Sequence, residues 1–226
     1  GIPLAIFFVH GGTGVLFAVA KARPYWNSGL FPLIFVVSAV VSGTALVMAL
    51  YVLRTRLFTS QGVDPDLLER LAKLLAAFIL TDVALTAIDA LVALTSLHHH
   101  EVATWMLVFT SKFSWSFWGV MVGLGWVVPL LLLSKRAWRR RPALMVAAGL
   151  SVVVGIVGVR FNIVVPPQIV PVMEGLPHGR YDPTMVEWAT SAGMVAVGLL
   201  VYSLGAEVLP LTPLGEHGDE PGGDES

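Results

Sequence analysis

Apolar residues run through the chain in six long blocks, near 2–20, 29–53, 74–97, 113–134, 143–159 and 188–206, separated by short polar stretches. Each is close to the roughly 17–25 residues that cross the hydrocarbon of a bilayer. None alternates between apolar and polar as a barrel strand does, and in lipid an isolated segment must satisfy its own backbone hydrogen bonds, which only a helix does. The pattern predicts an all-α, polytopic membrane helical bundle of about six transmembrane helices over residues 1–209. Residues 210–226 read as a disordered acidic tail, being polar, Gly-rich and without an apolar face.

Composition agrees with a lipid setting. The 226 residues are 56% hydrophobic and 13% charged, against about 25% charged in ordinary soluble domains. Cysteine is absent, so disulfides, Cys-ligated zinc and Cys-ligated iron–sulfur clusters are excluded from this chain. Any such centre belongs to a partner. No basic footprint for nucleic acid is visible. The chain enters an apolar run at once, without an initiator Met or a basic leader, which points to a longer parent chain or a misplaced start and away from a cleavable signal peptide.

Charge is segregated. One set of connections carries Arg54, Arg56, Arg70, Lys73, Lys135, Arg136, Arg139, Arg140 and Arg141; the other carries Lys21, Arg23, Lys112, Arg160 and Arg180. Nine against five places the first side, with both termini of the segment, in the cytoplasm. Segments 21–28, 98–112 and 160–187 then face outward.

Local signals mark the ends and seams of helices. Pro24 with Tyr25 and Trp26 reads as a bilayer boundary, and Trp105, Trp115, Trp118 and Trp126 as an interfacial aromatic belt. Ser38, Ser42, Gly43 and Thr44 would let another helix approach closely, as would Gly149, Gly155 and Gly158. Asp64-Pro-Asp reads as an N-cap and acidic first turn, starting the third helix in water. Pro129 is a candidate kink. His98, His99 and His100 read as a solvated loop, because consecutive residues do not converge on one metal.

Three ionisable residues fall inside the six blocks: His10, Asp82 and Asp89. An isolated Asp there would cost roughly 2.5–3.5 kcal/mol on the insertion scale, so each needs a partner or a wet cavity. Asp82 and Asp89 are seven residues apart and share a helical face, about 10.5 Å apart along the axis. With Thr81 and Thr86 nearby they could begin a proton path, or serve as polar glue between helices. His10 is followed by Gly11 and Gly12, which leave room for a flat ligand, and imidazole can donate to a quinone carbonyl. It is the one His inside a block, which argues against haem held between two histidines. Arg160 and Asn162 lie where the fifth helix reaches the outer surface, where Arg160 could snorkel, anchor an acid or polarise a quinone oxygen. Glu187 suits the N-terminus of the sixth helix whatever its role.

The blocks GIPLAIFFVHGG, ARPYW and SAVVSGTAL, the acids of the third helix and, most specifically, RFN…Q with YDPTMVEWATSAGMVAVGLLVYSLGAEVLPL resemble the NrfD family of polysulfide-reductase-type membrane subunits. The resemblance covers nearly the whole chain to Leu211 and implies the C-terminal part of a larger architecture of two helical bundles. It implies a haem-free, quinone-interacting subunit that exchanges electrons and protons with menaquinone or ubiquinone. A ferredoxin-like subunit with several iron–sulfur clusters, linked to a molybdopterin catalytic subunit, would dock on it. His10, Asp82 and Asp89 would then handle protons, and His10, Gly11, Arg160, Asn162, Gln168 and Tyr181 would bind quinone or shape the outer mouth. An ion- or proton-translocating transporter using Asp82 and Asp89, and a purely structural membrane anchor, are the competing classes.

Overall fold

The computed structural model describes residues 6–21, 23–58, 62–96, 99–171, 177 and 179–208. The predicted tail, 210–226, and the first residues of the first block lie outside them. The chain divides into two units, Gly1–Arg180 and Tyr181–Ser226.

In the first unit, α1 is a π-turn, Ile6–Gly11, that continues as an α-helix, Gly12–Ala18. A 3-10 turn, Pro24–Trp26, leads to α2, Phe31–Phe58. Then come α3, Pro65–Thr95, and a short α4, His99–Thr110. The next helix, α5, is a π-helix over Trp115–Val127 that becomes α-helical over Val128–Ser134. After a turn, Arg136–Arg139, α6 spans Pro142–Ile169. The second unit holds α7, Met185–Val208, which opens with a capping box: Glu187 accepts from Thr184 N–H at 2.7 Å and Thr184 Oγ from Glu187 N–H at 3.3 Å.

Five helices are long and apolar enough to cross a membrane: Phe31–Leu57, Pro65–Thr95, Trp115–Ser134, Pro142–Ile169 and Met185–Gly205. The protein is a polytopic helical membrane protein. The predicted first span appears among the described residues as a shorter apolar helix, Phe8–Ala18.

Two boundaries move in ways that matter. Asp64 caps α3 by accepting from Asp66 N–H at 2.9 Å, and the helix starts at Pro65, well before the apolar block. At the far end of α6 the helix runs through Pro166 and Pro167 to Ile169. Arg160 and Asn162 are therefore inside a helix, not at its mouth.

That run through proline has a visible cause. Pro167 lacks the N–H that would close on the Ile163 carbonyl, and Pro171 lacks the one that would close on Pro167. Trp26 Nε1–H donates to Ile163 O at 2.8 Å, and Arg23 Nη1 donates to Pro167 O at 2.9 Å and Val170 O at 2.8 Å. The freed carbonyls are thus satisfied by side chains of the turn after α1, with a cation at the helix C-terminus where the dipole favours it. The turn is a clamp on α6, not a free bilayer boundary, and Tyr25 within it is buried.

Glycines set the spacing of the bundle. A Cβ on Gly155 would lie 2.1 Å from Gly125 Cα, and one on Gly149 would lie 2.7 Å from Ala45 O, so α6 packs backbone to backbone on α5 and α2. Gly43, predicted to be such a contact, has open space around it. At the arginine-rich end, Glu69 of α3 is buried and bonded to Lys73 at 3.0 Å, Arg136 at 3.3 Å and Arg140 at 3.2 Å, tying α3 to the α5–α6 connection.

Gly155→Ala is expected to lower the detergent melting temperature by an overpacking penalty of about 1–3 kcal/mol or more, whereas Gly43→Ala should leave it unchanged or raise it slightly. Trp26→Phe should destabilise by about 1–3 kcal/mol, and by less in a Pro167→Ala background, where residue 167 regains an N–H for Ile163; equal losses in both backgrounds would show that the indole bond contributes nothing.

Candidate functional site within the bundle

The buried residues of α3 include Leu68, Ala72, Leu75, Ile79, Asp82, Asp89 and Ala93. Their three-four spacing defines one stripe, and both acids lie on it, facing the other helices as their spacing predicts. Thr86, between them, lines an interior cavity with Asp89. Thr81 is on the opposite side; it is exposed and donates to Ala77 O at 3.0 Å.

Asp82 is 2% exposed. Trp126 Nε1–H donates to its Oδ2 at 3.1 Å, while Oδ1 has no hydrogen-bond partner among the described residues. Across the bundle Arg160 lies over the Phe35 ring, 4.0 Å from its centroid, within electrostatic reach of Asp82. Arg160 Nη1 and the buried Ser38 Oγ are likewise without partners among the described residues. The register of α2 against α3 is pinned at both ends, by Asp64 N–H donating to Tyr51 Oη at 3.1 Å and Ser28 Oγ donating to Asp89 Oδ1 at 2.9 Å. Interpolating between these pins sets Phe35, and with it Arg160, at the level of Asp82. An acid and a base face each other in an apolar interior without a direct bond.

Nearer the clamp, a cavity of about 30 Å³ is lined by Tyr25, Thr86, Asp89 and Asn162 among apolar side chains such as Phe31 and Val108. Asn162 is 4% exposed; its Nδ2 reaches only Met121 Sδ at 3.6 Å, and its Oδ1 has no partner among the described residues. Burial first, and then the nearby Asp89 carboxylate, push the Tyr25 phenol well above its ordinary pKa, so it stays protonated in this setting.

The other predicted residues are elsewhere. His10 is exposed on α1 and does not line the interior cavity. Gly11, beside it, lines a separate open groove of about 550 Å³ with Phe8, Gly12, Val15, Gly29, Pro32, Leu33 and Val36. Gln168 is exposed in the last turn of α6. Tyr181, in the second unit, donates to Glu187 Oε2 at 3.4 Å. His99 and His100 open α4 instead of lying in a loop, and His98 is outside the described residues. Trp105 is buried and Trp126 serves Asp82, while Trp115 and Trp118 are exposed as a belt would have them.

Of the predicted residues the structure thus brings Asp82, Asp89, Arg160 and Asn162 inside the bundle, and sequence reasoning did not connect them with Ser28 and Trp126, which bond the two acids, or with Tyr25, which shares the cavity. One signal was present: Trp126 falls in the middle of its apolar block, too deep for an interfacial residue.

Arg160→Met is expected to destabilise the protein by removing the countercharge of a buried acid, a loss of order 3–5 kcal/mol for a closely paired charge and less across this gap. Adding Asp82→Asn should restore part of that loss; additive losses in detergent melting would deny the coupling.

The family profile described as "Polysulphide reductase, NrfD" matches residues 1–172. A selenate reductase subunit of Mesobacillus selenatarsenatis is 38% identical over 220 residues, covering 93% of this chain and 50% of that protein. The Hdr-like menaquinol oxidoreductase integral membrane subunit of Archaeoglobus fulgidus is 27% identical over 227 residues, covering 93% of this chain and 57% of that protein. The chain spans about half the length of these curated relatives.

Proposed function

Since the chain belongs to the NrfD polysulphide reductase family, we propose that it is the haem-free membrane subunit of a respiratory oxidoreductase complex and exchanges electrons and protons with a membrane quinone. The observation that carries this reading is the stripe of Asp82, Thr86 and Asp89 turned into the bundle opposite Arg160 and Asn162. Ionisable groups are kept in a membrane interior where they move charge or bind a polar ligand. A quinol gives up protons with its electrons, so its site needs such acceptors.

The two openings differ in what they can hold. The interior cavity, at about 30 Å³, fits a water but not a quinone ring. The groove at Gly11 and Gly12, about 550 Å³ and apolar, is within the range of small-molecule sites and suits a ring with an isoprenoid tail. His10 adjoins it in sequence and supplies an imidazole able to hydrogen-bond a quinone carbonyl. Asp89 and Asp82 would take protons on the bundle side, held in place by Ser28 and Trp126. Gln168, exposed in the last turn of α6, would contribute to the docking face. The menaquinol named for the Archaeoglobus relative favours menaquinone over ubiquinone here.

Without cysteine, the chain cannot hold its own Cys-ligated clusters. The electrons would pass to a ferredoxin-like iron–sulfur subunit and on to a molybdopterin catalytic subunit. With Arg160 well inside α6, the end opposite the arginine-rich one holds four basic residues, Lys21, Arg23, Lys112 and Arg180, against nine in the connections and helix ends of the other. That sharper asymmetry favours the arginine-rich end, with both termini of the segment, on the cytoplasmic side of a prokaryotic membrane.

Mass spectrometry of what co-purifies from mildly solubilised native membranes tests the assembly. A cysteine-rich cluster protein and a large molybdopterin subunit are expected; recovery of this subunit alone, under conditions that preserve respiratory complexes, would favour a transporter using the same acids. His10→Ala should lower quinone turnover at least tenfold while assembly is kept, and parallel loss of both would make the histidine structural.

A further inference from the structure

The cavity between α3 and α6 is small, enclosed by helices and mostly apolar, yet it gathers four polar side chains from three elements: Tyr25, Thr86 and Asp89, and Asn162. The side chain that decides what occupies it is Asn162. Its amide is 96% buried, counted from 4% exposure, and it makes one contact, a long one to a thioether. A buried carbonyl oxygen without a donor costs about 1–3 kcal/mol. Exchanging the amide O and N does not help, because either orientation leaves one polar atom facing Met121 Sδ and the other without a partner.

No described side chain repairs this. Arg160 is two residues away on the same helix, so it points to a different side. Ser28 is committed to Asp89 Oδ1. At the same time Asp89 keeps acceptor capacity beyond the Ser28 bond, since a carboxylate offers about four lone-pair positions. Thr86 brings a hydroxyl that can donate or accept. A cavity of about 30 Å³ exceeds the volume that one water needs, and the two to four polar partners that hold a buried water are all on its wall.

We propose that this cavity is a binding site for one ordered water, which donates to the Asn162 amide oxygen and to Asp89 and so joins α6 to α3 through solvent. Asn162 is then a positioning residue for Asp89, acting through the water. Water fits better than a sodium ion, because most of the wall is apolar and Asp89 is already accepting from Ser28. The site stands on packing and hydrogen-bond accounting, so it holds whether or not the redox reading does.

The test is a cryo-EM structure of the intact protein in lipid nanodiscs, at a resolution that shows ordered water. One density is expected within about 2.6–3.2 Å of both the Asn162 amide and the Asp89 carboxylate, and Asn162→Leu should abolish it while Ser28 stays bonded to Asp89. A dry cavity in the natural protein, density that persists unchanged in Asn162→Leu, or density that is replaced when sodium is exchanged for rubidium would each overturn the proposal. Should Asn162→Leu fail to fold, X-ray radiolytic labelling of the natural protein in ¹⁸O water decides: Met121, on the cavity wall, should take up label severalfold faster than Met48 and Met145, which are buried away from the cavity, and equal rates would refute a bound water.

Discussion

The structure is organised by the difficulty of keeping two carboxylates inside an apolar bundle. Asp82 and Asp89 belong to a helix whose other positions on the same stripe are Leu, Ala and Ile, apart from Thr86, and both of their described hydrogen-bond donors lie outside α3. The compensation comes from everywhere else. Trp126 of α5 donates to Asp82, Arg160 of α6 opposes it in charge, and Ser28 before α2 donates to Asp89. Each of these groups reaches its acid only because its own helix is held at close range and in register.

Close range is the work of small residues. Gly155 against Gly125 and Gly149 against Ala45 bring α6 next to α5 and α2, the helices whose Met121 and Phe35 meet Asn162 and Arg160. Register at the far end is the work of the clamp. Prolines 167 and 171 leave the carbonyls of Ile163 and Pro167 without a helical donor; Trp26 and Arg23 take these up, and Arg23 also takes the Val170 carbonyl at the helix end. The same turn carries Tyr25 into the cavity beside Asp89. A sequence feature that looks like a membrane boundary is therefore part of the support for the interior polar groups.

What could be seen in the sequence follows from range. The membrane class, the helical content, the inward face shared by Asp82 and Asp89 and the Asp64 cap depend on residues near one another in the chain, and all were legible. The extension of α6 was not, since Pro166 and Pro167 read as breakers until the side chains that satisfy the freed carbonyls are known. The short α4 was hidden by its histidines, which suggest a loop more than a helix start. The approach of Arg160 to Asp82, with 78 residues between their numbers, is tertiary and leaves no local trace. His10 is the converse case: its chemistry was conspicuous, while the fold sets it on an exposed face beside an apolar groove, a position that no local pattern gives.

The central claim is that the interior acids serve quinol chemistry and are not only a means of holding helices together. It is tested most directly by quinol oxidation in the intact complex carrying Asp89→Asn, a near-isosteric change that can still accept from Ser28 but cannot ionise. The account predicts a fully assembled complex whose iron–sulfur clusters stay oxidised when quinol is added and whose turnover is lowered at least tenfold. Unchanged turnover in an assembled complex would contradict it and leave Asp89 a structural residue.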